Sequence, residues 1–469
     1  MNEILFKNAD KKVIAVTKKL EEMIKGGFLE GKVYYVGGCV RDMILGQPVK
    51  DIDIVVEEKN GGLTLANLIA AKDKSYRIGS NPVIFETYGT ADVRFYNDPE
   101  CEGIELECVQ TRKEQYHKDS HNPETCYGTI EEDAKRRDLT INSLYYNISD
   151  GKIYDYNGTG MYDIANQIIR TPTDPDITFS DDPLRILRVI RFSCRLGWGI
   201  AKETWFGMVK NVGRISIVSQ ERITEEIIKI LCTKNASVGI RKMLYCGLLQ
   251  KVLPDIYDMR HSFESRNPVV TTFDHTMKVL DAVEAYPEHR LAALFHDVGR
   301  LLTDKDRTIS PNQFSAEVAE GDLRKMKLPN DVIKSVSTAI RHHEWFSTYT
   351  DGFLPPDKKI RKLINSCGDD LSATLDLMHA NNVHKTFNKK KTQVLQVLRR
   401  IEELDELDKL INLKLPINGN DIMTEFKIKK GPHIGVLLEA VKDAYLENPN
   451  MSKDDCFEVV EAKLRTLTY

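Results

Sequence analysis

The sequence has no Cys-x-x-Cys pair, no internal repeat and no low-complexity tract, and each absence removes a class of protein. Nine cysteines are scattered and odd in number, so neither a disulfide framework nor a cysteine zinc finger is expected. A reducing compartment, the cytoplasm, follows from the same pattern. Apolar runs are short, Ile52–Val56 being typical, and none can span a bilayer. The first ten residues lack a basic flank leading into an apolar core, so no signal peptide is expected. Charge of one sign is also missing: 66 basic residues face 70 acidic ones, a net charge of −4. A nucleic-acid partner must therefore be gripped by local basic surface. What is present is ordinary for a globular chain of 469 residues: 41% hydrophobic, 29% charged, and length enough for about three domains.

Residues 1–30 read as a polar helix with apolar positions at Val13, Ile14, Val16, Leu20 and Ile24. Strand signals concentrate in 33–110, at Val33–Val36, Ile52–Val56, Val83–Phe85, Val93–Phe95 and Ile104–Val109. Beyond about residue 175 the periodicity is helical to the end. Breaks are expected near Pro172–Pro175, Pro254, Pro355-Pro356 and Pro416–Asn420. Two windows carry positive charge without any acid. One holds Arg185, Arg188, Arg191 and Arg195; the other holds Lys385, Lys389, Lys390, Lys391, Arg399 and Arg400. Such runs are either solvated helix faces or phosphate contacts.

Three constellations carry chemistry. In Val36-Gly37-Gly38-Cys39-Val40-Arg41-Asp42 a strand ends in two glycines and opens a helix, so Gly38 can let a phosphate approach the backbone and Arg41 can reach the same anion. Asp51 and Asp53 follow on a strand, on one face, between apolar Ile52 and Ile54. Two like charges there are costly without a cation, and carboxylate oxygens suit Mg²⁺. Glu105 and Glu107 repeat that i, i+2 spacing; Glu107 is the one expected to complete the metal side, with Glu105 the alternative. The second constellation is Lys135-Arg136-Arg137-Asp138-Leu139-Thr140-Ile141-Asn142, where the arginines can cap a helix or meet phosphates. In the third, Asp181-Asp182-Pro183-Leu184-Arg185, Pro183 suits a first helical position and either aspartate the cap. Asp182 and Arg185 are helix neighbours, and Arg188 and Arg191 continue the step with a drift of about 60° each time.

In order and spacing these blocks resemble the motifs of class II tRNA nucleotidyltransferases. These CCA-adding enzymes share the DNA polymerase beta superfamily with bacterial poly(A) polymerases. Asp155-Tyr-Asn-Gly-Thr-Gly160 with Asp163 is similar to the family's hinge motif, and the resemblance runs from about 33 to 250. It implies an α+β chain: a nucleotidyltransferase head with a small mixed sheet (1–172), then an all-helical neck (173–250), an HD-like body (251–400) and a tail (401–469). It also implies that Asp51 and Asp53 hold two metals, and the strand spacing adds Glu107 on the catalytic side. Gly38 and Arg41 would bind phosphates, Arg137 and Asp138 the sugar side. Asp182 and Arg185 would template the base, with Arg188 and Arg191 lining the groove. The implied partners are CTP, ATP and the 3′ end and elbow of tRNA, with no membrane; oligomeric state stays open. The stretches Phe85–Val93 and Cys108–Tyr116 are similar to the CCA-adding pattern, and the Gly-Arg-Arg-Phe of bacterial poly(A) polymerases is missing. Poly(A) polymerase remains the alternative within the fold. Lys113–Thr129, with Tyr116, His117, His121 and Pro123, reads as a loop that helps switch nucleotide.

His275 and His296-Asp297 resemble the ligands of the HD phosphohydrolase superfamily, and His342-His343 fit the same pattern. Two departures argue for a vestigial site: Ser310-Pro311-Asn312 stands where Gly-His-Glu is usual, and Asn381 stands where the last aspartate is usual. An HD hydrolase with an inactive head is the second alternative. Asn418–Asp421 and Gly431–Gly435 resemble the tRNA-gripping tail of CCA-adding enzymes.

Overall fold

Seven strands form one mixed sheet in the N-terminal unit of the computed structural model, in the order β3-β4-β5-β2-β1-β8-β9. The structure describes residues 11–49, 51–72, 82–85, 89–95, 98–115, 123–264, 267–301, 310–346, 354–385, 389–408 and 415–466. The strands are β1 (Val33–Val36), β2 (Asp51–Val56), β3 (Val83–Phe85), β4 (Thr90–Arg94), β5 (Glu105–Gln110), β8 (Leu144–Asn147) and β9 (Ile153–Asp155). Among the described strands of this sheet only β2 and β5 pair parallel; a crossover through helix α3 (Gly61–Lys72) and the β3–β4 hairpin joins them. Gly62 of α3 lies so close to β5 that a Cβ there would be 2.5 Å from the carbonyl oxygen of Cys108. Helix α1 (Lys11–Ile24) buries Val13, Val16, Leu20 and Ile24, the stripe expected from its periodicity. Helices α2 (Gly38–Ile44) and α4 (Ile130–Lys135) follow β1 and the segment after β5. Tyr34, Val36, Val55, Ile130 and Tyr145 close the core on one side.

The segment from Lys113 to Thr129 is not simply a loop. Its arms are strands β6 (Arg112–Gln115) and β7 (Glu124–Tyr127), paired antiparallel from Arg112↔Tyr127 to Gln115↔Glu124. Strand β7 is exposed throughout and the half-buried positions of β6 are the charged Arg112 and Glu114, so no alternating apolar signal marked them. Tyr116, His117 and His121 lie outside the described residues, as does Lys50.

Helices α5 (Gly160–Asn166), α6 (Pro175–Asp181), α7 (Leu184–Leu196), α8 (Lys202–Asn211), α9 (Gln220–Leu231) and α10 (Ala236–Tyr245) complete the chain to residue 245. The first compact unit comprises Met1–Thr233 and Val238–Val252; the second comprises Lys234–Ser237 and Leu253–Tyr469. The second holds α11 (Thr272–Ala282), α12 (Pro287–Phe295), α13 (Pro311–Lys325), α14 (Asn330–His342), α15 (Asp357–Cys367), α16 (Leu371–Lys385) and α17 (Lys389–Asp408). It ends in α18 (Gly419–Phe426), α19 (Pro432–Glu447) and α20 (Lys453–Thr466), packed around Ile422, Leu437, Val441 and Val460. The expectation of an all-helical remainder needs one correction. Ile168–Ile169 pairs with Gly199–Ile200, and Phe263–Glu264 with Asn267–Thr271, as short two-stranded ribbons. Among the described residues no helix is long and apolar enough to cross a membrane.

Candidate active site

Alternation along β2 buries Ile52 and Ile54 and leaves Asp51 exposed and Asp53 half-buried on the other face. Register then decides between the two glutamates of β5. Asp53 pairs with Glu107, and Glu107 pairs on its other side with Asp92 of β4. Asp51 pairs with Glu105, but Arg94 neutralises Glu105 at 2.6 Å. Glu107 thus sits between two carboxylates. Burial pushes the Asp53 carboxyl above its ordinary range, opposed by Arg137 and reinforced by Asp51. Burial also raises Glu107, with Asp53 and Asp92 adding to the shift, and raises Asp92. A divalent cation would relieve this crowding, and all-oxygen donors suit a hard one. Asp92 was missed from the sequence. Its signal was the polar position in Thr90–Arg94, which became meaningful only through the β4–β5 register.

Gly37 closes β1 against this row. Its φ of +80° favours glycine, and a Cβ there would lie 2.9 Å from Asp53 Oδ2 and 3.7 Å from Arg137 Nη1. Arg137 is pinned from behind: Nη2 donates to Asp133 Oδ2 at 2.9 Å and Nε to the Tyr145 hydroxyl at 3.0 Å. Asp133, fully buried, also accepts from Arg136 at 2.6 Å and from the Tyr145 hydroxyl at 2.7 Å. Burial alone would raise its carboxyl, but Arg137 and Arg136 hold it well below the usual range. Helix α4 presents Asp133 at the right place because Thr129 and Glu132 form a capping box at its start.

Arg41 does not stand open to an anion as its motif suggested. It is 1% exposed, donates to Asn142 Oδ1 at 2.6 Å and Asp42 Oδ1 at 2.8 Å, and lies over the Phe192 ring. Its neighbour Gly38 begins α2, with Arg41 Nη2 3.4 Å from where a Cβ would stand. Asn142 continues the chain of contacts by donating to Asp138 at 3.1 Å, and Asp138 accepts from Arg188 Nη2 at 2.6 Å. Against burial, Arg188 and Asn142 hold the Asp138 carboxyl down at about 2. Arg191 pairs with Glu226 of α9 at 2.7 Å, and Arg188 lies 3.8 Å from the same carboxylate. The acid-free window of α7 is therefore neutralised from elsewhere in the fold. Likewise Arg400 of the second window pairs with Asp357 and Glu403. The side chains of Lys385, Lys389, Lys390 and Lys391 lie outside the described residues.

Asp182 and Arg185 are both buried at the start of α7. Asp182 accepts from the Leu184 amide at 3.1 Å and from Arg222 Nη2 at 3.0 Å. Arg185 Nη2 donates to the carbonyl of Arg136 at 2.7 Å, which brings α7 against the Arg136-Arg137-Asp138 segment. The helix itself starts at Leu184, one residue after the position expected for Pro183. Asp163 of the hinge-like motif is fully buried and takes the Thr140 hydroxyl at 2.7 Å and Arg170 Nε at 3.1 Å.

In the second unit, ligand atoms of His275, His296 and Asp297 lie within 4.8 Å of one another, all buried. His343 joins them, its ring 5.3 Å from that of His296, whereas His342 packs on Trp345. Asn381 Oδ1 is 2.9 Å from His275 Nε2. Arg300 Nε meets Asp297 Oδ1 at 2.7 Å, so the cluster's one carboxylate is already neutralised. Burial, with His275 and His343, pushes His296 down to about 3 despite Asp297. Ser310 and Pro311 are a helix cap and first turn for α13. Imidazoles suit transition metals, but here Asn381 engages His275 and Arg300 engages Asp297, so two of the three candidate donors already have partners.

A family model described as the poly(A) polymerase head domain matches residues 33–170. A second, described as a probable RNA- and SrmB-binding site of polymerase A, matches 197–259. The mitochondrial CCA tRNA nucleotidyltransferase of Saccharomyces cerevisiae is 36% identical over 229 residues, 46% of this chain and 40% of that protein. The chain thus aligns with less than half the length of that relative. A tRNA nucleotidyltransferase of Schizosaccharomyces pombe is 26% identical over 96% of this chain and 94% of its own. Among solved structures, the Bacillus stearothermophilus CCA-adding enzyme in complex with CTP superposes with a TM-score of 0.69 at 21% identity, covering 97% of this chain and 98% of that one. The Thermotoga maritima CCA-adding enzyme complexed with tRNA superposes with a TM-score of 0.60 at 20% identity, covering 98% of each chain. Set beside the ordered motifs and the carboxylate row, these matches show that residues 33–170 are similar to the poly(A) polymerase head domain and that the chain shares the fold of the solved CCA-adding enzymes.

Proposed function

We propose that this protein builds or repairs the 3′-terminal CCA of tRNA from CTP and ATP, releasing pyrophosphate. The observation that carries the reading is the row Asp53–Glu107–Asp92, its carboxyls raised by burial and by nearby carboxylates, beside the pinned Arg137. Enzymes of this family use a divalent metal; here Mg²⁺ is the ion, with Asp51, Asp53 and Glu107 as its oxygen donors. When bound it supplies charge neutralisation at the triphosphate and activates the primer hydroxyl. Arg137, held by Asp133 and Tyr145, orients the nucleotide from the opposite side. Asp138 takes the sugar side, and Gly38 and Arg41 shape the phosphate end.

Asp182 and Arg185 select the base. Cytosine and adenine both present an exocyclic amino donor beside a ring-nitrogen acceptor, and guanine and uracil present the reverse on that edge. A carboxylate beside a guanidinium matches the first pair and leaves buried groups unpaired with the second, a large penalty. The double variant Asp182→Ala/Arg185→Ala is expected to add G and U as well as C and A while still binding metal. Unchanged exclusion of G and U would sink the template idea.

The division of labour follows the four segments: head 1–172, base-selecting neck 173–250, HD-like body 251–400 and a tail 401–469 at the tRNA elbow. Arg188 and Arg191 line the groove, and the cytoplasm is the working compartment. The HD-like cluster is vestigial. Metal analysis of the purified full chain is expected to find no stoichiometric transition metal on the second unit; tightly bound metal with phosphodiesterase turnover would overturn that. The test of the main reading is pyrophosphate release from CTP and ATP, expected with tRNA lacking its CCA and absent with tRNA that carries it.

A further inference from the structure

The base-selecting arginine does not stand alone, and the residue behind it belongs to neither the metal row nor the arginine motifs. Strand β6 places Arg112 and Glu114 on its half-buried face while Lys113 and Gln115 face solvent. The Glu114 side chain is only 6% exposed. Its carboxylate lies among three guanidiniums: Arg136 Nη1 at 2.9 Å, Arg112 Nε at 3.4 Å and Arg185 Nη2 at 3.7 Å. Asp133, the other carboxylate of this cluster, is taken by Arg136 and Arg137. Asp181 and Asp138 also act on Arg185 through space, and Glu114 stands within ion-pair range of it at 3.7 Å, among arginines whose like charges repel strongly in this shielded region. Arg185 is also held by neutral acceptors, the carbonyls of Arg136 and Thr178. Those carbonyls can bind a guanidinium in several poses; a nearby negative charge fixes which one is occupied.

We propose that Glu114 is a positioning residue for base selection, holding Arg185 where it reads the incoming base. The inference rests on the functional reading given above. Without the Glu114 charge, Arg136 repels Arg185 from its place beside the carbonyl, and the donor pattern offered to the base loosens. Overall chemistry at the carboxylate row is then less affected than the choice between bases.

The experiment is single-turnover addition to a tRNA ending before C74, with CTP and with UTP, for wild type, Glu114→Gln, Glu114→Asp, Arg185→Ala and the double variant Glu114→Gln/Arg185→Ala. Glu114→Gln keeps the shape and removes the charge. It is expected to lower the ratio of kcat/KM for CTP over UTP by about tenfold. Glu114→Asp restores the charge and should recover most of that ratio. In the Arg185→Ala background the Glu114→Gln change should leave the ratio where Arg185→Ala alone puts it, because the effect passes through Arg185. An unchanged ratio in an active Glu114→Gln enzyme overturns the proposal, as does an equal further drop in the Arg185→Ala background, which is what general loosening of the fold would produce. If Glu114→Gln does not fold, Glu114→Ala and its double variant with Arg185→Ala carry the same comparison, because they too remove the charge. A wild-type enzyme that adds no nucleotide overturns the functional reading itself. A selective wild type with an equally selective Glu114→Gln overturns this inference alone.

Discussion

Asp53→Asn is expected to lower nucleotide addition at least about a thousandfold, roughly 4 kcal/mol of barrier, while the protein becomes more stable to heat. The two effects share one cause. Asp53 is a carboxylate that burial and Asp51 hold above its ordinary titration range, so at neutral pH the folded, metal-free protein carries a charge it disfavours. Removing that charge relieves the neighbouring Glu107, which lies in register with it. The unfolding midpoint should rise by about 2 to 4 °C, the shift that 1 kcal/mol gives in a unit of this size. Loss of function with gain of stability separates a charge kept for catalysis from one kept for structure. Glu105→Gln is the control: its carboxylate already pairs with Arg94 near the surface, and its loss should cost little activity. Single-turnover rates with CTP and a thermal scan without metal decide the matter. Asp53→Asn activity within tenfold of wild type, or a falling midpoint, would count against the account.

The second large effect lies behind the site. Asp133→Ala should destabilise the first unit by about 3–5 kcal/mol, because it strands Arg136 and Arg137 in a buried region without their shared carboxylate. It also removes the acceptor for the Tyr145 hydroxyl and for the backbone amide of Arg112. Asp133→Asn, which keeps the size, should still lose much of this, and the loss has a pH signature. The folded-state pKa of Asp133 lies below its unfolded value, so its stabilisation is complete above about pH 4 and is lost as the pH falls below that. Urea titrations of wild type and Asp133→Asn should therefore differ most at neutral pH and converge in acid. A gap that stays constant with pH would mean that packing, not charge, holds the arginines.

Much of this was legible in the sequence, for identifiable reasons. Val33–Val36 and Val83–Phe85 are strands of β-branched and aromatic residues and fall where they were expected. Asp51 and Asp53 are separated by a buried isoleucine, so alternation alone puts them on one face. What was not legible depends on partners distant in the chain. Glu107 was preferred over Glu105 with no reason in the spacing; what sets the two apart is register, because Arg94 comes from the neighbouring strand. Arg188 and Arg191 read as bare charge because Asp138 and Glu226 reach them from other elements. The half-buried positions of β6 are charged and β7 is exposed throughout, so the hairpin prints no apolar period in the sequence. His343 joins His296 only once α12 and α14 pack together. Strand β8, Leu144-Tyr145-Tyr146-Asn147, is buried on both faces and so lacks the alternation that marks half-buried strands.

The central claim, that this chain adds C, C and A in that order and stops, is tested most directly by extending three tRNA transcripts. They would end before C74, after C75 and after the full CCA, with CTP and ATP supplied singly and together, and the products would be sequenced. The account expects two C then one A on the first, one A on the second and nothing on the third. A ladder of A from ATP alone would make the chain a poly(A) polymerase, and phosphodiesterase activity with no extension would hand the function to the second unit; either result would contradict it.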